Sequence, residues 1–147
     1  IEYASFYGSF NIIKYLVSNK IELKSSMWLY HIHSEKAKIT PYLVENNISP
    51  PNNRYNKILK ESIKCHHNDI AKFIINFHID QKELKFDIEN NFKNNLYRYS
   101  IKYHNYSFFP DDIKYKYIFY YLCEFNYYTL VNLYLTNQDI NINETII

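Results

Sequence analysis

The sequence predicts an all-α fold built as a stack of short helical hairpins. Three observations predict it. An apolar stripe of helical spacing recurs along the chain, small or apolar residues precede each copy at a fixed distance, and polar connectors separate the copies. A period of roughly 20–50 residues is the mark of a repeat architecture, and missing it would misread the whole fold.

The first apolar residue of each second helix serves as an anchor: Ile12, Ile39, Ile70 and Leu130, spaced by 27, 31 and 60 residues. The last interval is close to two periods. Eleven residues before the anchors stand Ile1, Trp28, Leu59 and Phe119. Eight and seven before stand Ala4-Ser5, His31-Ile32, Ser62-Ile63 and Leu122-Cys123. Four and five after stand Leu16-Val17, Leu43-Val44, Ile74-Ile75 and Tyr134-Leu135. Residues at these separations share one face of a helix, so each copy is an amphipathic stripe that needs a neighbour.

In chain order, residues 1–19 read as two short helices joined at Gly8, the only glycine. A helix–helix turn commonly holds one residue near the left-handed region, which glycine and asparagine tolerate best. The matching positions are Glu35, His66 and Asn126. Asn126 suits such a turn, whereas Glu35 and His66 predict that turns two and three are looser or differently built. Pro41 falls in the first turn of its helix, where a missing N–H does no harm. Residues 46–55, NNISPPNNRY, carry a proline pair that stops a helix. Residues 76–95 are longer than a simple connector, and 81–92 read as a solvated helix. The fourth unit is degenerate. Tyr97, Ser100 and Ile101 supply its first helix, with an anchor at Phe108, but Pro110 interrupts the second. Asp111 or Asp112 is then placed to cap a helix running to about Phe125. The count is four to five units in a single domain spanning 1–147.

Composition narrows the function. With 17 Lys and Arg against 15 Asp and Glu, the chain is near balance. A nucleic-acid module concentrates a strong basic excess on one face, so none is expected as a partner. The longest apolar run, residues 117–123, falls far short of the roughly 18 residues that span a membrane. Two cysteines cannot make a disulfide framework, and reduced thiols point to an intracellular, cytoplasmic setting. The chain opens on Ile1 rather than Met, which predicts a fragment of something longer.

The columns resemble ankyrin repeats. The ankyrin pattern sets a leucine, paired alanines, a glycine turn and then Ile-Val-x-x-Leu-Leu. The first unit answers with Ile1, Ala4-Ser5, Gly8 and Ile12-Ile13-Lys14-Tyr15-Leu16-Val17. The third answers with Leu59, Ser62-Ile63, His66-His67 and Ile70-Ala71-Lys72-Phe73-Ile74-Ile75. The segment Asp139-Ile140-Asn141-Ile142-Asn143 resembles the lead from one ankyrin repeat to the next. More narrowly, Glu61 to Ile70 and Phe108-Phe109-Pro110-Asp111-Asp112 resemble an ankyrin-associated domain of unknown function. That domain precedes ankyrin arrays in proteins of single-celled parasitic eukaryotes. The chain lacks the Thr-Pro-Leu-His opening and most turn glycines of standard ankyrin repeats. The resemblance implies stacked helices without regular β-hairpin fingers, further repeats beyond this segment, and a protein-binding role.

Candidate chemistry is sparse. Cys65, His66, His67 and Asp69 are too close in sequence for all to face one ion, and zinc needs about four converging ligands. His31 occupies a small, buried column and reads as a core histidine. No Gly-x-Ser-x-Gly nucleophile context and no glycine-rich phosphate loop is present. We therefore expect no catalytic residues, no metal and no cofactor. The aromatic and basic stretch 101–121, with Lys102, His104, Lys114 and Lys116, reads as packing rather than a base-stacking platform.

Ankyrin geometry would place the exposed first-helix positions, nine, six and five residues before each anchor, along a concave face. The resulting candidates for protein binding are Tyr3, Phe6, Tyr7, Tyr30, His33, Glu61, Lys64, Tyr121 and Glu124, joined by Ser34, Cys65 and Phe125. Aromatic residues are typical interface anchors. The expected function is a non-catalytic protein–protein interaction scaffold. The alternative is a structural cap that stabilises a downstream array without binding a partner.

Overall fold

The computed structural model describes residues 1–34, 36, 38–81, 86–109 and 117–136. Every element among them is helical. The chain divides into two compact units, Ile1–Lys85 and Phe86–Ile147.

The first unit holds three helical hairpins. These are α1 (Glu2–Phe6) with α2 (Phe10–Ser18), α3 (Met27–His31) with α4 (Ile39–Glu45), and α5 (Tyr55–Lys64) with α6 (Asn68–Gln81). A 3-10 turn, Ile32–Ser34, extends α3. Helices of five residues such as α1 and α3 do not persist alone, because nucleation outweighs the few hydrogen bonds they close. Packing forms them. Helix α1 lies against both α2 and α3, and the 3-10 turn lies against α5.

The core follows the columns. Trp28, Ile32, Ile39, Leu43, Leu59, Ile63, Ile70 and Ile74 are at most 1% exposed. The first anchor departs from the pattern: Ile12 is 53% exposed, and Ile13 is the residue buried in α2. Ile13, Leu16 and Val17 turn inward, whereas Ile12 is rotated about 100° away, on the exposed row that includes Tyr15. Polar groups in this core are all matched. Ser5 Oγ donates to the Met27 carbonyl (3.2 Å), Ser62 Oγ to Ile58 (2.8 Å) and Trp28 Nε1 to Ile48 (2.7 Å). His31 Nδ1 lies 3.1 Å from the Met27 carbonyl and Nε2 lies 2.6 Å from Thr40 Oγ1. Since a carbonyl can only accept, Nδ1 carries the proton, and the neutral ring accepts the Thr40 hydroxyl at Nε2.

The hairpin turns share one backbone design. Gly8 N–H donates to Ser5 (3.1 Å) and Ser9 N–H to Ala4 (2.8 Å). His66 and His67 repeat this on Ile63 and Ser62, at 3.1 and 2.9 Å. In the second unit, His104 and Asn105 repeat it on Ile101 and Ser100, and Asn126 and Tyr127 on Cys123 and Leu122. This paired bonding is the Schellman motif, and it places Gly8, His66, His104 and Asn126 at φ of 65°, 59°, 56° and 59°. The expectation of a looser third turn is therefore corrected. His66 adopts the left-handed conformation because two main-chain bonds hold it there. The second turn is differently built, through the 3-10 segment, and Glu35 lies outside the described residues.

These turns carry a testable asymmetry. His66→Gly relieves a left-handed non-glycine residue and is expected to raise stability by about 0.5–1 kcal/mol. Gly8→Ala should lower it by about 1–2 kcal/mol, since φ is +65° and the new Cβ would sit 3.0 Å from Ser34 Cβ and Lys36 Cδ. Urea melts of the two variants should shift in opposite directions.

The second unit contains α7 (Phe86–Lys102), α8 (Ile118–Glu124) and α9 (Tyr128–Thr136). Ile101, Ile118, Tyr121, Leu122 and Tyr134 form its core, flanked by Phe109, Phe119, Phe125, Tyr127, Leu130 and Val131. Cys123, placed in the small inward column by its spacing, is instead exposed. After α7 comes a 3-10 turn, Tyr106–Phe108, and residues 110–116, where the fourth unit's second helix would continue, lie outside the described residues. Phe109 then turns extended (φ −67°, ψ 140°), as a residue before proline prefers. The capping role of Asp111 or Asp112, the residues Lys114 and Lys116, and the segment 139–143 lie outside the described residues. Of the solvated helix expected over 81–92, the backbone of α6 reaches Gln81 and α7 starts at Phe86, while residues 82–85 lie outside the description.

Candidate protein-binding face

Helix α1 turns Tyr3 and Tyr7, four residues apart, to solvent, at 83% and 71% exposure. Ser5 faces the opposite way, into α3. Phe6 and Tyr30 are each about 40% exposed, at 38% and 42%. The Phe6 ring meets Tyr7 edge-on with centroids 5.1 Å apart, and lies 5.5 Å from the His33 ring. His33 Nδ1 in turn is 4.0 Å from Cys65 Sγ. Phe6, His33 and Cys65 thus form a row across three successive first-helix segments of the first unit. On α5, Glu61 and Lys64 pair at 3.5 Å across one turn. Burial, aided by the neighbouring Glu61 carboxylate, pushes the Cys65 thiol up, so it stays protonated and poorly nucleophilic.

Two sequence-derived candidates fare differently in the second unit. Tyr121 is buried at 8% and belongs to the core. Its offset matches Tyr3 and Tyr30, but α8 packs against both α7 and α9, and Ile118, Tyr121 and Leu122 make one inward row. Tyr121 is therefore removed from the exposed set. Glu124 binds Arg98 of α7 with both carboxylate oxygens, one bond measuring 3.2 Å. That pairing keeps the guanidinium charged and makes Glu124 a clasp between helices.

One neighbour escaped sequence reasoning. Lys36 lies outside the first-helix columns, yet its aliphatic stem covers the Gly8 turn. A concavity of about 750 Å³ opens between residues 8–12 and Lys36 and Lys38. Only the absence of a side chain at Gly8 permits that approach, and the lone glycine was the available signal.

Among the described residues, no three His, Cys, Asp or Glu side chains converge to hold a metal ion. Nor is any described helix long and apolar enough to cross a membrane. No family model, curated protein or solved structure matches this chain.

Proposed function

We propose that this chain is a non-catalytic protein-binding scaffold of ankyrin-like helical hairpins, and that the exposed face of its first helices receives the partner. The observation that carries the reading is the display of Tyr3, Phe6, Tyr7 and Tyr30 to solvent on neighbouring helices α1 and α3. Grouped exposed apolar side chains mark interaction surfaces, and aromatic residues are frequent at the centre of an interface. The recurring Schellman turn and the lateral packing of α1 on α3 support the repeat reading. The free thiols of Cys65 and Cys123 support a reducing, intracellular setting.

The test compares the wild-type chain with a Tyr3→Ala, Tyr7→Ala, Tyr30→Ala variant in a pull-down. Both must first show the same helical circular dichroism. A specific partner kept by the first and lost by the second supports the scaffold. A partner retained equally by both removes this face from the interface, and no partner for either favours the structural-cap role.

A further inference from the structure

We propose that the face formed by α1, α3 and α5 takes a short acidic segment of a partner protein, its carboxylates interleaved with apolar anchors. The proposal rests on the protein-binding reading above and specifies its ligand. Charge complementarity carries it. The exposed polar ends on this face are the hydroxyls of Tyr3, Tyr7 and Tyr30, the His33 ring and the Lys57 and Lys64 ammonium groups, all able to donate a hydrogen bond. Only two carboxylates occur on α1, α3 and α5, and both are engaged. Glu2 accepts the Ser26 hydroxyl, and Glu61 is paired with Lys64. Among the described residues of these helices a basic partner side chain meets only these two carboxylates, whereas an acidic one meets the three tyrosine hydroxyls, the His33 ring and Lys57, with Lys64 shared with Glu61.

The charge of the unit agrees. Ile1–Lys85 holds twelve Lys and Arg against eight Asp and Glu, while residues 86–147 hold five against seven. The near-neutral whole therefore conceals a basic first unit, whose field draws an acidic segment inward and repels a basic one. Tyr3 and Tyr7 offer ring faces beside those donors, so the ligand needs apolar side chains between its acids.

The experiment pans the full chain against a phage-displayed library of random peptides about a dozen residues long. The enriched peptides are then synthesised and titrated against the wild type, against the triple tyrosine variant, and against a Lys57→Gln, Lys64→Gln variant that leaves the aromatics in place. We expect enriched peptides to be rich in Asp and Glu, to weaken about ten-fold or more when these become Asn and Gln, and to weaken with added salt. Both variants should bind them less well, while matching the wild type in circular dichroism. If the enriched peptides are neutral or basic yet depend on Tyr3, Tyr7 and Tyr30, the acidic assignment is overturned and the binding face stands. If they ignore the tyrosines, or if nothing enriches, the face itself is overturned together with the proposal. Should the triple variant unfold, the lysine variant and the salt series decide the acidic assignment.

Discussion

Replacing Trp28 by alanine is expected to destabilise the first unit by about 3–5 kcal/mol. Trp28 is fully buried, and its ring lies in T-shaped contact with those of His31 and Tyr55, centroids 5.7 and 5.9 Å apart. Its Nε1 also ties α3 to the connector through the Ile48 carbonyl. Alanine removes the dispersion contacts, leaves a cavity between hairpins and deprives that carbonyl of its donor. A domain is typically stable by only about 5–15 kcal/mol, so a large share of the margin would go. Trp28→Phe keeps most of the ring volume and should cost less, about 1–2 kcal/mol, mainly through the lost hydrogen bond. Far-ultraviolet circular dichroism in urea measures both. A loss below about 1 kcal/mol for the alanine variant would mean that Trp28 is not a keystone of this core.

Acid should destabilise the same unit through His31. Burial holds its pKa at about 4, against an ordinary 6.5, only partly offset by the Met27 and Trp28 carbonyls, with nearby His67 lowering it slightly. The folded state therefore keeps the ring neutral where the unfolded chain would already be protonated. The resulting stability is complete above pH 6.5 and is lost as pH falls from there toward 4. The full loss is about 3 kcal/mol, of which about 2 kcal/mol should be gone by pH 5, before most carboxylates titrate. Urea midpoints between pH 7.5 and 5 should fall for the wild type and stay nearly level for His31→Gln. Equal slopes would sink the assignment.

Much of the architecture was legible because burial leaves a period in the sequence. The inward columns at Trp28, Leu59, Ser62-Ile63, Leu43 and Ile74 are all buried. The errors share a physical cause. Spacing tells which residues of a helix share a face but not which way that face is turned in the packed unit. The inward row of α2 runs through Ile13 rather than Ile12, and Tyr121 falls on the inward row of α8 with Ile118 and Leu122. The third turn departs from expectation because residue preference says nothing of the two main-chain bonds that hold His66 in the left-handed region. Of the candidate face, Tyr3, Phe6, Tyr7 and Tyr30 were legible as exposed positions, whereas the Phe6–His33–Cys65 row needed three helical segments placed side by side.

The Schellman turns have a consequence for how such a chain tolerates mutation. Main-chain donors and acceptors close each turn, so no side chain is indispensable there, and a poor residue adds only about 1–2 kcal/mol of local strain. Glycine can drift to histidine or asparagine one turn at a time, each step absorbed by the interlocked hairpins around it. A lineage under pressure toward glycine-poor composition can thus erase its punctuation while keeping its grammar. Resemblance between such relatives would survive longest in the positions of their buried residues, and vanish first from the letters at their bends.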